Sequence, residues 1–190
     1  MTDAAQEWVD QARQGNQQAF RHLVEAHARP LFGVCVRITR DPTLAEDAVQ
    51  EALYNAWRHL ADFDGRASFT TWLHRIAVNA ALEQLRRNAR HVHDLPTVLP
   101  ADEDSADFLD LHADDAPGPD AHARGREIHL RTQAELDGMS ALERAAFVMR
   151  HVEGESLETI AATLSLNIGQ SKQAIFRAVR KLRGALQGLR

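Results

Sequence analysis

In the stretch FDGRASFTTWLHRIAVNAALEQLRR, Phe63 to Arg87, polar side chains recur where one helix face would gather them. Thr71, Arg75 and Asn79 stand at four-residue spacing, and Arg86, Arg87 and Arg90 follow. Their chemistry is hydrogen bonding and positive charge, which suits a phosphate backbone. Taken alone, the segment fits the solvated face of an ordinary bundle helix equally well. A second set near the C-terminus tips the balance. Gln170, Lys172, Gln173, Phe176, Arg177 and Arg180 should project outward from one helix, IGQSKQAIFRAVRKLRGAL. Gln, Lys and Arg can bond base edges in a major groove, and the two cations also serve phosphates.

The elements that must position these groups are all helical. Phe69, Trp72, Leu73, Ile76 and Ala80 form the apolar face behind the first stripe. Before it, DPTLAEDAVQEALYNAWRHL carries Ala45, Ala48, Val49, Ala52, Leu53, Ala56, Trp57 and Leu60 at helical spacing. Thr43 and Glu46 are expected to cap it as a capping box. Its other face holds Glu46, Asp47, Gln50, Glu51, Tyr54 and Arg58, with the early acids suited to the positive end of the helix dipole. An earlier helix starts at Asn16 and runs through Pro30 to Ile38, and Pro30 is expected to kink or break it. Near the C-terminus, Ser140 and Glu143 make a second capping box, opening a helix closed by Gly154. Ser156 caps LETIAATL, a tight turn passes through Ser165 and Leu166, and Asn167 caps the basic helix. Ile160, Ala161 and Leu164 should pack against Ile168, Ile175, Val179 and Leu182. That order of parts is a helix-turn-helix.

The net charge of −5 hides a segregation. Between Asp94 and Ala123 there is no Lys or Arg, and from Ser165 onward there is no acid. The acidic middle also holds Pro96, Pro100, Pro117, Gly118 and Pro119. The expected organisation is therefore all-α: a domain over 1–91, an acidic flexible linker over 92–123, and a helix-turn-helix domain over 124–190. Phe108, Leu109 and Leu111 leave room for a short docking piece within the acidic stretch. No apolar run approaches the ~18–20 residues of a membrane span, and the first residues lack the apolar centre of a signal peptide. A cytoplasmic protein without membrane insertion is expected. The single Cys35, among Val34, Val36 and Ile38, reads as a buried structural thiol. The ten histidines are scattered, with only His91 and His93 close together. There is no glycine-rich phosphate loop and no nucleophile elbow. No metal, cofactor or enzymatic activity is expected.

AEDAVQEAL, FDGRASFTTWLHRIAVNAALEQLRR and HVEGESLETIAATLSLNIGQSKQAIFRAVRKLR, in this order, resemble the three most recognisable segments of the extracytoplasmic-function group of bacterial sigma factors. The resemblance covers about Asn16 to Arg90 and about Glu127 to Arg183. It implies a transcription initiation factor that binds core RNA polymerase, through the β′ clamp helices and the β subunit, and directs it to bipartite promoter DNA. The face with Glu46, Asp47, Gln50 and Glu51 would meet the clamp helices. The loop Asp62, Phe63, Asp64, Gly65, Arg66, Ala67 and Ser68, with Trp72 and Asn79 behind it, would capture an unstacked -10 base. Arg75, Arg86 and Arg87 would hold phosphates there. Gln170, Lys172, Gln173, Phe176, Arg177 and Arg180 would meet the -35 element. The linker would run through the polymerase's RNA exit region. The family often has an anti-sigma factor as partner, although no motif here marks one.

The chain departs from the family pattern at Ser165, where Gly is common at the turn, at Ser171, where Val is common, and at Gln173 and Ala174. A hydroxyl on the inward face at Ser171 needs a partner such as the carbonyl one turn back. A sigma-like decoy that binds an anti-sigma protein would keep the shape without the DNA contacts. The retained Arg75, Asn79, Arg86 and Arg87 speak against it, while Ser171 and Gln173 speak for it. A helix-turn-helix repressor would explain the C-terminal half but not the Trp72–Asn79 helix and its loop.

Overall fold

A computed structural model describes residues 3–94 and 138–187, and no strand occurs among them. They fall into two compact units, one in each described stretch.

The first unit begins with α1 (Asp3–Arg13), which buries Val9 and Ala12 and stacks Trp8 on His22 at 5.0 Å between ring centroids. Asn16 then caps α2 (Gln17–Thr39), its side-chain oxygen accepting the N–H groups of Gln18 and Ala19 at 3.0 and 3.1 Å. Of the two outcomes expected at Pro30, the break does not occur: α2 runs through it without interruption. Pro30 and Ala26, whose carbonyl loses its helical donor, are both exposed, so water can take the place of the missing bond. The cap of α3 (Pro42–His59) is also corrected. Asp41, not Thr43, accepts the N–H groups of Thr43 and Leu44 at 2.8 and 3.1 Å, and Pro42 occupies the first helical position. Proline is favoured there because its fixed φ suits the first turn and no donor is lost.

A short 3₁₀ turn (Leu60–Asp62) leads through the loop into α4 (Phe69–Asp94), which extends past residue 91 into the first residues of the acidic stretch. The rest of that stretch lies outside the described residues. Helix α3 presents Ala45, Ala48, Ala52 and Ala56, and α4 presents Ala77, Ala80 and Ala81, all buried. Small residues on facing stripes let α3 and α4 approach closely, while Leu23, Leu31, Val34 and Ile38 of α2 fill the third side. Cys35 sits within this core, fully buried, and burial pushes its thiol up to about 12. At that value it is a packing residue, not a nucleophile.

The second unit opens with α5 (Ala141–Phe147), where Ser140 and Glu143 form the expected reciprocal capping box. A wide π-turn (Val148–Val152) follows, and Gly154 at φ +72° lets the chain reverse. Ser156 caps α6 (Leu157–Leu164) by accepting the N–H of Thr159 at 3.1 Å. Ser165 then takes the left-handed conformation, φ 54°, and the Leu166 N–H closes back on the Ala161 carbonyl at 2.9 Å. Helix α7 (Ile168–Gln187) buries Ser171, Ala174 and Ala178. Ile168 was expected on that inward face but is 43% exposed, and Ile175 and Val179 are only half-buried. The buried seam runs through Ser171, inward as expected, and then through Ala174 and Ala178, each one position before the expected Ile175 and Val179, so small residues face α5 and α6. Ser171 is fully buried, and its hydroxyl donates to the Asn167 carbonyl at 3.1 Å. That bond one turn back is what its inward position required.

Candidate nucleic-acid interface

Three surfaces gather the residues singled out by the sequence. On α3, Glu46, Asp47 and Gln50 are exposed on the side away from the alanine stripe, and Tyr54, 60% exposed, continues the row with Arg58 over its ring. Glu51 belongs to the same row but is engaged differently. Its carboxylate accepts two bonds from Arg87 at 3.0 and 3.1 Å and one from Gln84 at 2.8 Å, tying α3 to α4. The bonds Arg87 donates to Glu51, then the charges of Glu51 and Glu83, raise its guanidinium above its ordinary value.

The loop from Asp62 to Ser68 is built from within. Asp64 accepts the backbone N–H of Arg66 at 3.0 Å and pairs with the Arg66 guanidinium. Those bonds hold its carboxyl below the usual carboxylate range. Gly65 adopts φ +75°, open to glycine at no steric cost. Phe63 is 5% exposed and meets Trp72 and Phe69 with centroids 5.2 and 5.9 Å away, so it is the floor of the loop and not a contact surface. The Ser68 hydroxyl accepts the Thr71 N–H at 3.0 Å, which makes it the cap of α4. Ala67 and Trp72 are half-buried, while Gly65 and Arg66 are exposed. Beyond the loop, Arg75 is half-buried and Asn79 is exposed on α4. Arg86 pairs with Glu83, and Arg90 reaches the same carboxylate at 3.2 Å. The basic end of α4 is thus laced with acids. Sequence spacing showed the arginines but not the partner at Glu51, 36 residues away.

On α7, Lys172, Gln173, Phe176, Arg177 and Arg180 all face solvent, and Phe176 is 65% exposed. Gln170 is exposed too, but its side-chain carbonyl accepts the Asn167 N–H at 2.9 Å while Asn167 accepts the Gln170 N–H at 2.8 Å. This second reciprocal capping box fixes Gln170 at the helix entry, leaving only its NH₂ to donate elsewhere. Arg177 and Lys181 approach Glu143 of α5 at 3.6 and 2.8 Å. Burial alone would raise the Glu143 carboxyl; the bonds from Lys181 and the Ser140 N–H, with the charges of Lys181 and Arg177, outweigh it and hold the group low. Among the described residues, Lys172, Arg180 and Arg183 form no ion pair. The described residues also contain no group of three or more His, Cys, Asp or Glu able to hold a metal ion, and no helix long and apolar enough to cross a membrane.

Comparison with known proteins bears on both units. Residues 23–91 match the family model for Sigma-70 region 2, and residues 129–182 match that for Sigma-70 region 4. The chain is 32% identical to the RNA polymerase sigma-H factor of Pseudomonas aeruginosa, over 97% of this chain and 94% of that one. It is 29% identical to the ECF RNA polymerase sigma-E factor of Haemophilus influenzae, over 100% and 97% of the two. Among solved structures, the sigma factor RpoE bound to the anti-sigma factor NepR from Bartonella quintana aligns with a TM-score of 0.61 over 88% of this chain and 96% of that one. At 24% identity that likeness speaks to the fold alone.

Proposed function

This chain belongs to the extracytoplasmic-function group of RNA polymerase sigma factors, and from that premise we propose which of its surfaces perform each step of initiation. It is a transcription initiation factor whose partners are core RNA polymerase and promoter DNA. Asp47 and Gln50, with Glu46 beside them, dock on the clamp helices of the polymerase. The loop Asp62–Ser68 and the face of α4 bearing Arg75 and Asn79 capture a base that leaves the -10 stack. Lys172, Gln173, Phe176, Arg177 and Arg180 lie in the major groove of the -35 element. Glu51, Phe63, Ser68 and Arg87 support these surfaces from within.

The observation that carries this assignment is the division of labour on α3 and α4. Glu51 and Glu83 are already bonded to the arginines of α4, whereas Asp47 and Gln50 stand exposed. A side chain exposed in the bundle and placed on the polar face has a partner outside it or none. No step calls for covalent chemistry: binding, melting and release need hydrogen bonds, stacking and charge. The protein acts as a regulator rather than an enzyme, and it works in the cytoplasm where polymerase is. An anti-sigma factor, bound to the Bartonella structure above, is a natural further partner.

The test is run-off transcription with purified core polymerase over a library of bipartite promoters. Promoter-specific transcripts are expected only when this chain is added. Asp47→Lys sets a cation against a surface chosen to receive an acid, a like-charge contact costing several kcal/mol. It should weaken core binding by about 100-fold with an unchanged melting temperature. Core affinity equal to that of the parent chain would remove α3 from the docking surface.

A further inference from the structure

Between α6 and α7 the second unit carries an open groove of about 450 Å³. Leu157, Ile175, Phe176 and Val179 are its apolar lining. Arg150, His151, Lys172, Arg180 and Arg183 stand around it, and among the described residues no acidic side chain lines it, although the charge of Glu158 reaches Lys172 and Arg150. Its occupant must therefore be apolar on one side and anionic at its edges. A phosphate backbone would satisfy the cations but leave Leu157, Ile175 and Val179 without an apolar partner.

One segment of this chain has that composition. Between Asp102 and Asp115 lie Asp102, Glu103, Asp104, Asp107, Asp110, Asp114 and Asp115, with no Lys or Arg among them. Set within these acids are Phe108, Leu109 and Leu111. We infer that the segment Asp102–Asp115 seats Phe108, Leu109 and Leu111 in the α6–α7 groove of its own chain, its acids matched to the surrounding cations. Residues 116–137, 22 in number, would span about 33 Å even if wholly helical at 1.5 Å per residue, about the diameter of a small domain. A tether of that kind raises the local concentration of the segment to the order of millimolar, so a weak contact suffices.

The docking has a consequence that rests on the proposed -35 role. Lys172, Phe176 and Arg180 belong both to the groove and to the row assigned to DNA. Segment and promoter then compete, and free sigma factor binds -35 DNA less tightly than its helix alone would allow. Assembly with polymerase must free the segment.

The experiment uses the full chain and a fluorescein-labelled peptide of residues 101–120, followed by anisotropy at low salt. In one variant Phe108, Leu109 and Leu111 are all changed to Ser, which empties the groove without touching α6 or α7. The peptide should bind that variant, and bind the parent chain about 10-fold more weakly because the groove is already filled. Adding Arg183→Glu to the variant should weaken the peptide several-fold, and binding should fall as NaCl is raised. A peptide that ignores the triple variant, or binds both chains equally, overturns the inference. A parent chain that is dimeric while the triple variant is monomeric would put a second copy's segment in the groove and overturn the intramolecular assignment. The triple variant should also bind a -35 duplex several-fold more tightly than the parent. Equal DNA affinities with the peptide results intact would overturn the competition, and with it the placing of Lys172, Phe176 and Arg180 on DNA, while the docking stands.

Discussion

The two basic helices of this sigma factor hold their charge in opposite ways. At the end of α4, Arg86, Arg87 and Arg90 converge on Glu83, and Arg87 also makes two bonds to Glu51. On α7, Arg177 and Lys181 pair with the carboxylate of Glu143, while among the described residues Lys172, Arg180 and Arg183 form no ion pair, Lys172 feeling the charge of Glu158 only from beyond contact. A guanidinium already matched to a carboxylate must give up that bond to take a phosphate, so its net gain is small. An unmatched cation releases counterions from DNA at full value. On the assignment proposed above, the first unit would therefore bind the -10 element by shape, aromatic contact and the hydrogen bonds of Asn79 and Arg75. On the same assignment the second unit, once polymerase has freed its groove, would supply the long-range attraction that brings promoter and protein together.

The largest expected effect tests the open side of that contrast. Changing Lys172 and Arg180 together to Ala should lower affinity for a -35 duplex by about 100-fold at low salt and flatten the salt slope by about 2, since each phosphate contact contributes about 0.9. Titrations at several salt concentrations give both quantities. A slope that stays put would mean these cations never reach the backbone, and the contrast would collapse.

Glu143 organises α7 from outside. Its carboxylate bonds the Ser140 N–H and pairs with Lys181 and Arg177, and its side chain is 10% exposed. Glu143→Gln should cost the second unit about 2 kcal/mol, below the 3–5 of a fully buried pair because Lys181 and Arg177 keep much of their surface in water. The pH dependence has a definite sign. The folded carboxyl is held below its unfolded value of 4.5, so its contribution is fully present above that value and is lost as pH falls through the lower folded one. Melting curves between pH 7 and pH 3 should show the parent losing stability below about 4.5 faster than the Gln variant. Parallel losses would place the acid sensitivity elsewhere.

Arg87→Ala probes the matched side. The bond it removes joins α3 to α4, so the melting temperature of the first unit should fall while the salt slope of promoter binding stays unchanged. If the slope drops by nearly one and the melting temperature holds, Arg87 contacts DNA and its pairing with Glu51 is dispensable.

What could be seen beforehand follows from how local each interaction is. The caps at Ser140, Ser156 and Asn167, and the helix start at Asn16, were legible because a cap and its donors lie within three residues of each other. The demand of Ser171 for a carbonyl one turn back was equally local. The cap of α3 was misplaced by two residues because Thr43 and Glu46 satisfy the pattern, while Asp41 followed by Pro42 satisfies it better. The register of α7 slipped because Ile168 is an apolar residue at the first position of a helix, where no turn precedes it to cover it. Both the pairing of Glu51 with Arg87 and the burial of Phe63 beneath Trp72 depend on residues distant in sequence or on the path of a loop. Neither is written in any periodicity.

Ser165 offers the finest adjustment to the contrast, because the turn it makes sets the direction in which the open cations of α7 point. It stands at φ 54°, a conformation that costs a residue with a Cβ about 1–2 kcal/mol. Glycine adopts it freely but loses about 0.5–1 kcal/mol more on folding through its larger freedom in the unfolded chain. The first term exceeds the second, so Ser165→Gly should stabilise the second unit by about 0.5 kcal/mol. The Ser165 side chain is exposed, and the bond from Leu166 N–H to the Ala161 carbonyl needs only the backbone, so nothing else should change. Urea denaturation of the two chains would register the gain as a higher midpoint at equal slope, with -35 affinity unaltered. A lower midpoint would mean that the hydroxyl offsets its own strain. A changed affinity would mean that the turn still moves, and that the direction of α7 is set on DNA and not in the free fold.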